Sequence, residues 1–578
     1  MKRTGILLIA LILILGCALA CTSCEWFNKP QNNADATKII ENGVTEYMVV
    51  YPENRSTALY NAASELVTEI ERVTGTRIQM IKASTELEEI DGKYILIGAT
   101  SFEEYHKAIE PLANTSDAYT ITQSDKHIIF GARFDDGIVA SVKHFTENLL
   151  SKNYDANTKT LALEECKNDG TKALPTIFDT TQIEKYTIVY STKLEGYQAA
   201  AEAMQTAISA STGHKLKVGA DTSTPPTEYE ILIGDTNRHL SYKCYKNNAR
   251  LMEYSAFVEN GQMQVVCGGP YSAKIGATNI VTKSFSNGTA KFEPGTHCAT
   301  NLAPESVAYT EGTDIRIMTA NVLTYDNSAK KDGFAPSYER VEILAKILVD
   351  YAPDIIGIQE MDKTYHSLIP YYLNLIKETY GIEYSTTTRK VDRSYLANFI
   401  IYRSDKYVLD YDYSEFAYYD YWGSSLQQSV LSSAKFTSIT DPSVEVAMIT
   451  AHWYWDAENI ASDPPQQLWD QIQMSNEFYN IKSMYPNARI FCTGDFNSHR
   501  FDGEYLNRLL WDINGEIASS VAERNNVLVP SFKHQNQYID HIIGEYGTFD
   551  VLYHAGTNNQ SKDLTDHQPV YADIKFTK

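Results

Sequence analysis

Arg489-Ile490-Phe491-Cys492-Thr493-Gly494-Asp495-Phe496-Asn497-Ser498-His499 is the stretch whose reading decides the second half of this chain. An apolar run ends abruptly in Gly-Asp-x-Asn. The run reads as a buried strand whose C-terminal end delivers a carboxylate and a carboxamide, two residues apart, to the same side. Asp495 can accept a proton or orient a water, Asn497 can donate an N–H to an anionic oxygen, and Gly494 lets the backbone approach a ligand closely. Read alone, Gly-Asp-x-Asn is equally well ordinary turn chemistry after a strand. The pieces on either side of it, and their order, remove that reading.

Upstream, Ile315 to Leu323 is a strand carrying Asn321, and Tyr338 to Tyr351 has helical spacing with Ile343, Leu344, Ile347 and Leu348 on one face. Ala352 to Glu360 is a buried strand capped by Glu360, Asn398 to Arg403 is another strand, and Glu445 to His452 ends in a histidine. Downstream, Tyr538-Ile539-Asp540-His541 and Leu564-Thr565-Asp566-His567-Gln568-Pro569 follow. A single His or Glu at a strand end is usually a satisfied or solvated side chain. Six apolar runs in series that end in or carry Asn321, Glu360, His452, Asp495/Asn497, Asp540 and Asp566/His567 point to polar groups gathered at one rim of a sheet, which is a site.

In that order these motifs resemble the endonuclease/exonuclease/phosphatase superfamily, the deoxyribonuclease I-like fold, over residues 313–578. The resemblance implies a four-layer α/β sandwich, two mixed sheets face to face with helices outside, and a Mg²⁺- or Mn²⁺-dependent hydrolase of phosphate esters. It implies Glu360 as the first metal ligand with Asn321 and Asp566 near it. Oxygen ligands suit such a hard cation. Asp495 would orient or deprotonate the attacking water, and Asn497 would hold the nucleophile or a phosphoryl oxygen. His567 would stabilise developing charge with Asp540 fixing its ring, and His452 would contact phosphate or serve as an acid. Arg340 is expected to be structural, Tyr402 to approach the site, and Arg500 to lie on the surface. The chain departs from the family pattern in the Tyr-rich stretch 411–430, where an aspartate and arginine are missing. It departs again at His452-Trp453-Tyr454-Trp455, whose aromatics either stack on a ligand or pack the sandwich edge.

Residues 44–302 carry an internal repeat. Tyr47-Met48-Val49-Val50-Tyr51, a helical stretch and Thr74-Gly75 return as Tyr186-Thr187-Ile188-Val189-Tyr190, a helical stretch and Thr212-Gly213. Tyr94-Ile95-Leu96-Ile97-Gly98 returns as Tyr229-Glu230-Ile231-Leu232-Ile233-Gly234, and each copy closes with a strand pair and a helix starting near Asp136 or Ser272. The order predicts two small α/β sandwich domains, residues 44–172 and 173–302, joined to the last domain by a linker over 303–312. They resemble the non-catalytic α/β domain that precedes several glycoside hydrolase barrels, which implies either a glycan-facing platform or a spacer.

Met1-Lys2-Arg3 and the apolar run to Gly16 form a signal peptide, with lipobox-like ends at Cys17 and Cys21. The expectation is a bacterial lipoprotein: residues 1–24 the signal segment, 25–43 a tether, and a lipid anchor on one of those two cysteines in the cell envelope. Cys24 lies in the same segment, and the remaining five of eight cysteines form no CxxC pair, which argues against zinc. Cys244, Cys267 and Cys298 share one region, where one disulfide or isolated thiols would fit, and Cys492 reads as core. The net charge of −23 lacks the basic stripe of a protein that grips long nucleic acid. The expected substrate is a phosphate ester, a diester before a monoester, in nucleic acid, a phospholipid headgroup or a phosphorylated glycan. An extracellular nuclease and a non-catalytic glycan- or surface-binding protein are the two competing readings.

Overall fold

The computed structural model describes residues 37–52, 56–82, 92–98, 102–248, 250–285, 288–300, 304–324, 329–330, 332–388, 397–417, 429–453, 466–498, 503–529, 539–557 and 564–577. Cys17, Cys21, Tyr454, Trp455 and Arg500 lie outside the described residues. The chain divides into two compact units, 1–171 and 172–578.

The first unit is built on a six-stranded sheet in the order Met80–Lys82, Tyr47–Tyr51, Lys93–Ile97, His127–Gly131, Tyr119–Ser124, Cys166–Asn168. The first four strands run parallel, and the last two are antiparallel additions. Alternation along each strand sends Val49, Ile95, Ile97, Ile128 and Phe130 to one face, under the helices Thr57–Thr74 and Asp135–His144. It sends Val50, Tyr94, Leu96 and Ile129 to the other, under Glu103–Ile109. Both faces are covered, so the strands read as unbroken apolar runs.

The second unit begins with the same arrangement. Its first sheet runs Lys217–Ala220, Thr187–Tyr190, Glu230–Ile233, Gln262–Cys267, Tyr254–Glu259, Gly295–Thr300. Tyr197–Thr212 and Pro270–Ser284 cover one face and His239–Asn248 the other. The described cysteines, Cys166, Cys244, Cys267, Cys298 and Cys492, are all free thiols.

The rest of the second unit is a four-layer sandwich. One six-stranded sheet runs Tyr384–Thr386, Ala397–Arg403, Ile355–Met361, Ile315–Asn321, Val570–Phe576, Phe549–Gly556. The other runs Tyr407–Ala417, Ser429–Ser438, Glu445–His452, Arg489–Asp495, Asp540–Glu545, Gly515–Ile517. Ile315, Ile317, Ile355, Ile400, Val446, Met448, Phe491, Ile542 and Ile574 fill the space between the sheets. Tyr402 belongs to this core, its ring 4.9 Å from that of Phe436, so it packs the sandwich and does not approach the site as expected. Cys492 faces the outer layer with Met474 and Phe478 from the helix Gln466–Met484.

Helix Ser337–Tyr351 departs from its sequence reading. The apolar stripe of Ile343, Leu344, Ile347 and Leu348 is buried as the spacing demands, but Glu339, Glu342, Lys346 and Asp350 are buried too. A helix buried all round is packed on both sides. Its apolar side meets the sheet, Glu339 and Glu342 meet the second repeat, and Lys346 pairs with Asp350, so one continuous core runs from Phe178 to Tyr571.

The segment expected to be a linker is fastened down. The Arg316 guanidinium, fully buried against Asp573 at 2.6 Å, also donates to the carbonyls of Val307 and Ala308 at 2.9 Å each. Asp350 accepts from the Glu305 N–H at 2.5 Å, and Tyr309 donates to the Ala352 carbonyl at 2.5 Å.

Candidate functional site

Four strands of the sandwich place their inner-face residues in rows that change character toward one end. The rows read Ile315-Ile317-Thr319-Asn321, Val446-Met448-Thr450-His452, Phe491-Thr493-Asp495 and Ile542-Asp540. The period of two that buries the isoleucines therefore also aims the polar residues inward. Backbone pairing sets His452 beside Asp495, and Asp495 beside Asp540, in one sheet, with Asn321 beside Gln359 in the other. A neutral belt separates core from site: Gln359 Nε2 donates to Thr319 Oγ1 at 3.1 Å and to Thr450 Oγ1 at 2.7 Å. Gly357 is required there, because a Cβ would stand 2.4 Å from Thr493 Oγ1 and 2.6 Å from Thr450 Oγ1.

Glu360 follows Gln359, so strict alternation would send it to the outer face. It has φ of 58°, and the pairing with Ala397–Arg403 shifts register between Ile358 and Met361. This bulge turns the carboxylate back to the rim. Leu323 and Asn497 also hold positive φ, 53° and 44°. Three non-glycine residues in the left-handed region around one spot is strain of the kind that collects at functional sites. Gly494 has φ of 152°, and a Cβ there would stand 1.9 Å from the Ala451 carbonyl oxygen. Its small size serves the approach of a neighbouring strand, where the sequence suggested approach to a ligand.

The side chains converge. Asn321 Nδ2 donates to Glu360 Oε1 at 2.8 Å and to Asp495 Oδ2 at 3.1 Å. His452 Nε2 lies 3.4 Å from the same glutamate oxygen and 3.6 Å from the same aspartate oxygen. Asn497 Nδ2 is 3.2 Å from His452 Nε2 and donates to the Trp453 carbonyl at 2.8 Å, while its backbone N–H donates to Asp495 Oδ1 at 2.8 Å. His567 Nδ1 is 2.7 Å from Asp540 Oδ2, and its Nε2 is 3.5 Å from Asp495 Oδ2. Thus Glu360, His452, Asp495, Asn497, Asp540, His567 and Asn321 form one constellation.

Two expected metal ligands sit differently from that expectation. The Asn321 carboxamide oxygen accepts the Leu323 N–H at 2.9 Å, which turns the amide nitrogen toward the carboxylates. The Asp566 carboxylate is half-exposed and its approach to the group is 4.0 Å from His567 Nε2. Trp453 is buried with its ring 4.8 Å from Phe496, so this aromatic packs the sandwich. Sequence reading did not find Thr324, which donates to Glu360 Oε2 at 3.1 Å from its N–H, or Asn398, whose Oδ1 accepts the Glu360 N–H at 3.2 Å. Neither carries a motif; only the fold brings them to the glutamate.

Electrostatics follow from burial and crowding. Burial lifts the Asp540 carboxyl above its ordinary range, only partly offset by His567 beside it. For His567 burial opposes charge, but Asp540 and Asp495 outweigh it and hold the imidazole well above its usual value. Asp540 Oδ1 is buried without a hydrogen-bond partner.

Glu360, His452 and Asp495 offer one ligand atom each within 4.8 Å of one another, as do Asp495, Asp540 and His567. Among the described residues, the ion-pair partners of Glu360, Asp495 and Asp540 are histidines, with no lysine or arginine. Crowded carboxylates short of cationic neighbours are a donor set that fits a hard divalent cation.

No family model and no curated protein matches the chain. Among solved structures it is similar to a mannosyl-6-phosphatase of Bacteroides thetaiotaomicron, at 15% identity and a TM-score of 0.35, over 46% of this chain and 100% of that one. It is similar to an endonuclease/exonuclease/phosphatase protein of Bacteroides vulgatus, at 17% and 0.36, over 46% and 100%. It is also similar to the human Nocturnin catalytic domain with bound sulfate, at 13% and 0.36, over 47% and 97%.

Proposed function

We propose that residues 313–578 form a divalent-metal-dependent hydrolase of phosphate esters, carried on an exported bacterial lipoprotein anchored through Cys17 or Cys21. The observation that carries the catalytic reading is the meeting of Glu360, His452, Asp495, Asn497, Asp540 and His567, from both sheets, with the contacts of 2.7 to 3.6 Å given above. Glu360 and Asp495 would hold Mg²⁺ or Mn²⁺, with Asp566 able to join at the rim. A bound cation would polarise a phosphoryl oxygen and steady the leaving group.

The chain's own residues supply the rest. Asp495, fixed by the Asn497 N–H and the Asn321 amide, orients the attacking water. His567 turns its Nε2 toward the developing charge, and Asp540 holds its ring through Nδ1. Asn497 and His452 sit together where a phosphoryl oxygen would be gripped. A phosphodiester is the favoured substrate, and the charge of −23 favours a lipid headgroup or phosphorylated glycan over long nucleic acid.

The test is turnover of bis(p-nitrophenyl) phosphate with Mg²⁺. Wild-type activity should vanish on chelation, and Glu360→Ala and His567→Ala should each lose about 100-fold or more while still folded. Full activity in both variants, or activity that survives chelation, defeats the assignment. Absence of turnover with every ester tried would favour the binding-protein reading.

A further inference from the structure

We propose that the second repeat is a positioning element of the catalytic site, acting through helix Ser337–Tyr351 and its residue Arg340; the catalytic part of this inference rests on the function proposed above. Arg340 is fully buried, and its Nη1 lies 2.8 Å from the Val322 carbonyl, 2.9 Å from that of Leu323 and 2.8 Å from that of Leu564. Those carbonyls belong to the two loops that carry the site: one leaves Asn321, and the other leads into Asp566 and His567. The guanidinium thus ties the amide between the two carboxylates to the histidine opposite. It is a positioning residue, acting through the backbone carbonyls it holds.

What seats Arg340 is the repeat. Glu342, two residues on and so about 200° round the helix, points the other way. It is fully buried and accepts from the Met252 N–H at 3.0 Å, the Ser272 N–H at 3.1 Å and the Ser272 hydroxyl at 2.8 Å. Ser272 lies in the first turn of Pro270–Ser284, so a carboxylate of the catalytic domain caps a helix of the repeat. Glu339 takes Lys274 at 2.8 Å. Gly196 leaves room for Tyr338, whose ring would stand 2.3 Å from a Cβ there. The neighbouring helix Lys363–Tyr380 does the same on a smaller scale. Tyr371 donates to the Gly268 carbonyl at 3.4 Å, and Tyr365, under the Arg340 guanidinium, donates to the Val322 carbonyl at 3.4 Å. Two helices therefore each join the repeat on one side to the loop after Asn321 on the other.

The experiment uses the full chain with Glu342→Ala, Arg340→Lys and Arg340→Met. It reads amide hydrogen exchange and, separately, turnover of bis(p-nitrophenyl) phosphate. Glu342→Ala should speed exchange at least tenfold in peptides covering residues 321–324 and 564–567, while residues 489–495 and 540–545 keep their protection. kcat should fall about tenfold with KM little changed, since orientation and not ground-state binding is lost. Arg340→Met should exceed both effects, and Arg340→Lys should recover part of them. If Glu342→Ala loosens only residues 250–284, or if Arg340→Met leaves both loops as protected as in the wild type, the proposal fails. A wild type inactive on every ester would overturn the functional reading alone, because the exchange result stands by itself.

Discussion

The two repeats share a sheet order, a helix order and both αL glycine caps, Gly75 and Gly213, yet they end in different structural roles. The contrast is concentrated at the start of the last helix. In the first copy, Asp135–His144 opens with Asp135 and Asp136 in its own first turn. In the second, Pro270–Ser284 has no acidic residue there, and Glu342 supplies the carboxylate from another domain. A helix N-terminus needs negative charge and acceptors from somewhere. The first copy forms its own compact unit, whereas the second is joined to the last domain and shares its core.

Truncation should expose that difference most strongly. A chain beginning at Lys172 is expected to fold and to keep full phosphoester turnover. A chain beginning at Asp314 would bare Glu339, Glu342, Lys346 and Asp350 together with the apolar residues around them, and is expected to lose near-UV circular dichroism and aggregate. Equal stability of the two truncations would mean that the shared core is dispensable.

Removing the capping charges should come next. Glu342→Ala leaves buried donors at Met252 and Ser272 without their acceptor and should cost about 2–4 kcal/mol in denaturant unfolding. Asp135→Ala should cost about 1 kcal/mol or less. The pH dependence sharpens this. Burial raises the Glu342 carboxyl above its ordinary value of 4.5. A raised acid binds its proton more tightly in the folded state, so its contribution is complete below the unfolded pKa and is lost as pH climbs through the folded one. The stability of the wild type relative to Glu342→Gln should therefore fall as pH rises above about 4.5.

Thiol reactivity should show the smallest contrast. Burial pushes Cys166 of the first copy up to about 11 and Cys267 of the second up to about 12. Cys166 is only partly buried and Cys267 fully, so iodoacetamide should label Cys166 slowly in the native protein and Cys267 only on unfolding. Equal labelling of the two would show that the second copy opens as readily as the first.

The polar side of helix Ser337–Tyr351 shows where sequence reading stops. Glu339, Glu342, Lys346 and Asp350 at helical spacing look like a solvated face, and no local feature distinguishes a charge in water from one that meets a partner distant in the chain. Glu360 makes the same point at the site. Its identity as a strand-end carboxylate was legible, but its direction depends on a bulge set by a neighbouring strand. Tyr402 and Trp453 look available to a ligand because an aromatic residue carries no sign of which side of its sheet it faces.

By itself, the sequence determined the number of repeats, the layering of the last domain, and the polar residues that close its strands. The repeats follow from self-similarity along the chain, the strand-closing polar residues from where apolar runs end, and the layering of the last domain from the resemblance its ordered motifs carry. Tertiary structure alone decided that the second repeat shares the core of the last domain, that Asn321 serves as a donor between two carboxylates, and that Thr324 and Asn398 reach Glu360. Those outcomes depend on which surfaces meet across long separations, and the burial and hydrogen bonding that settle them arise only once the layers are packed.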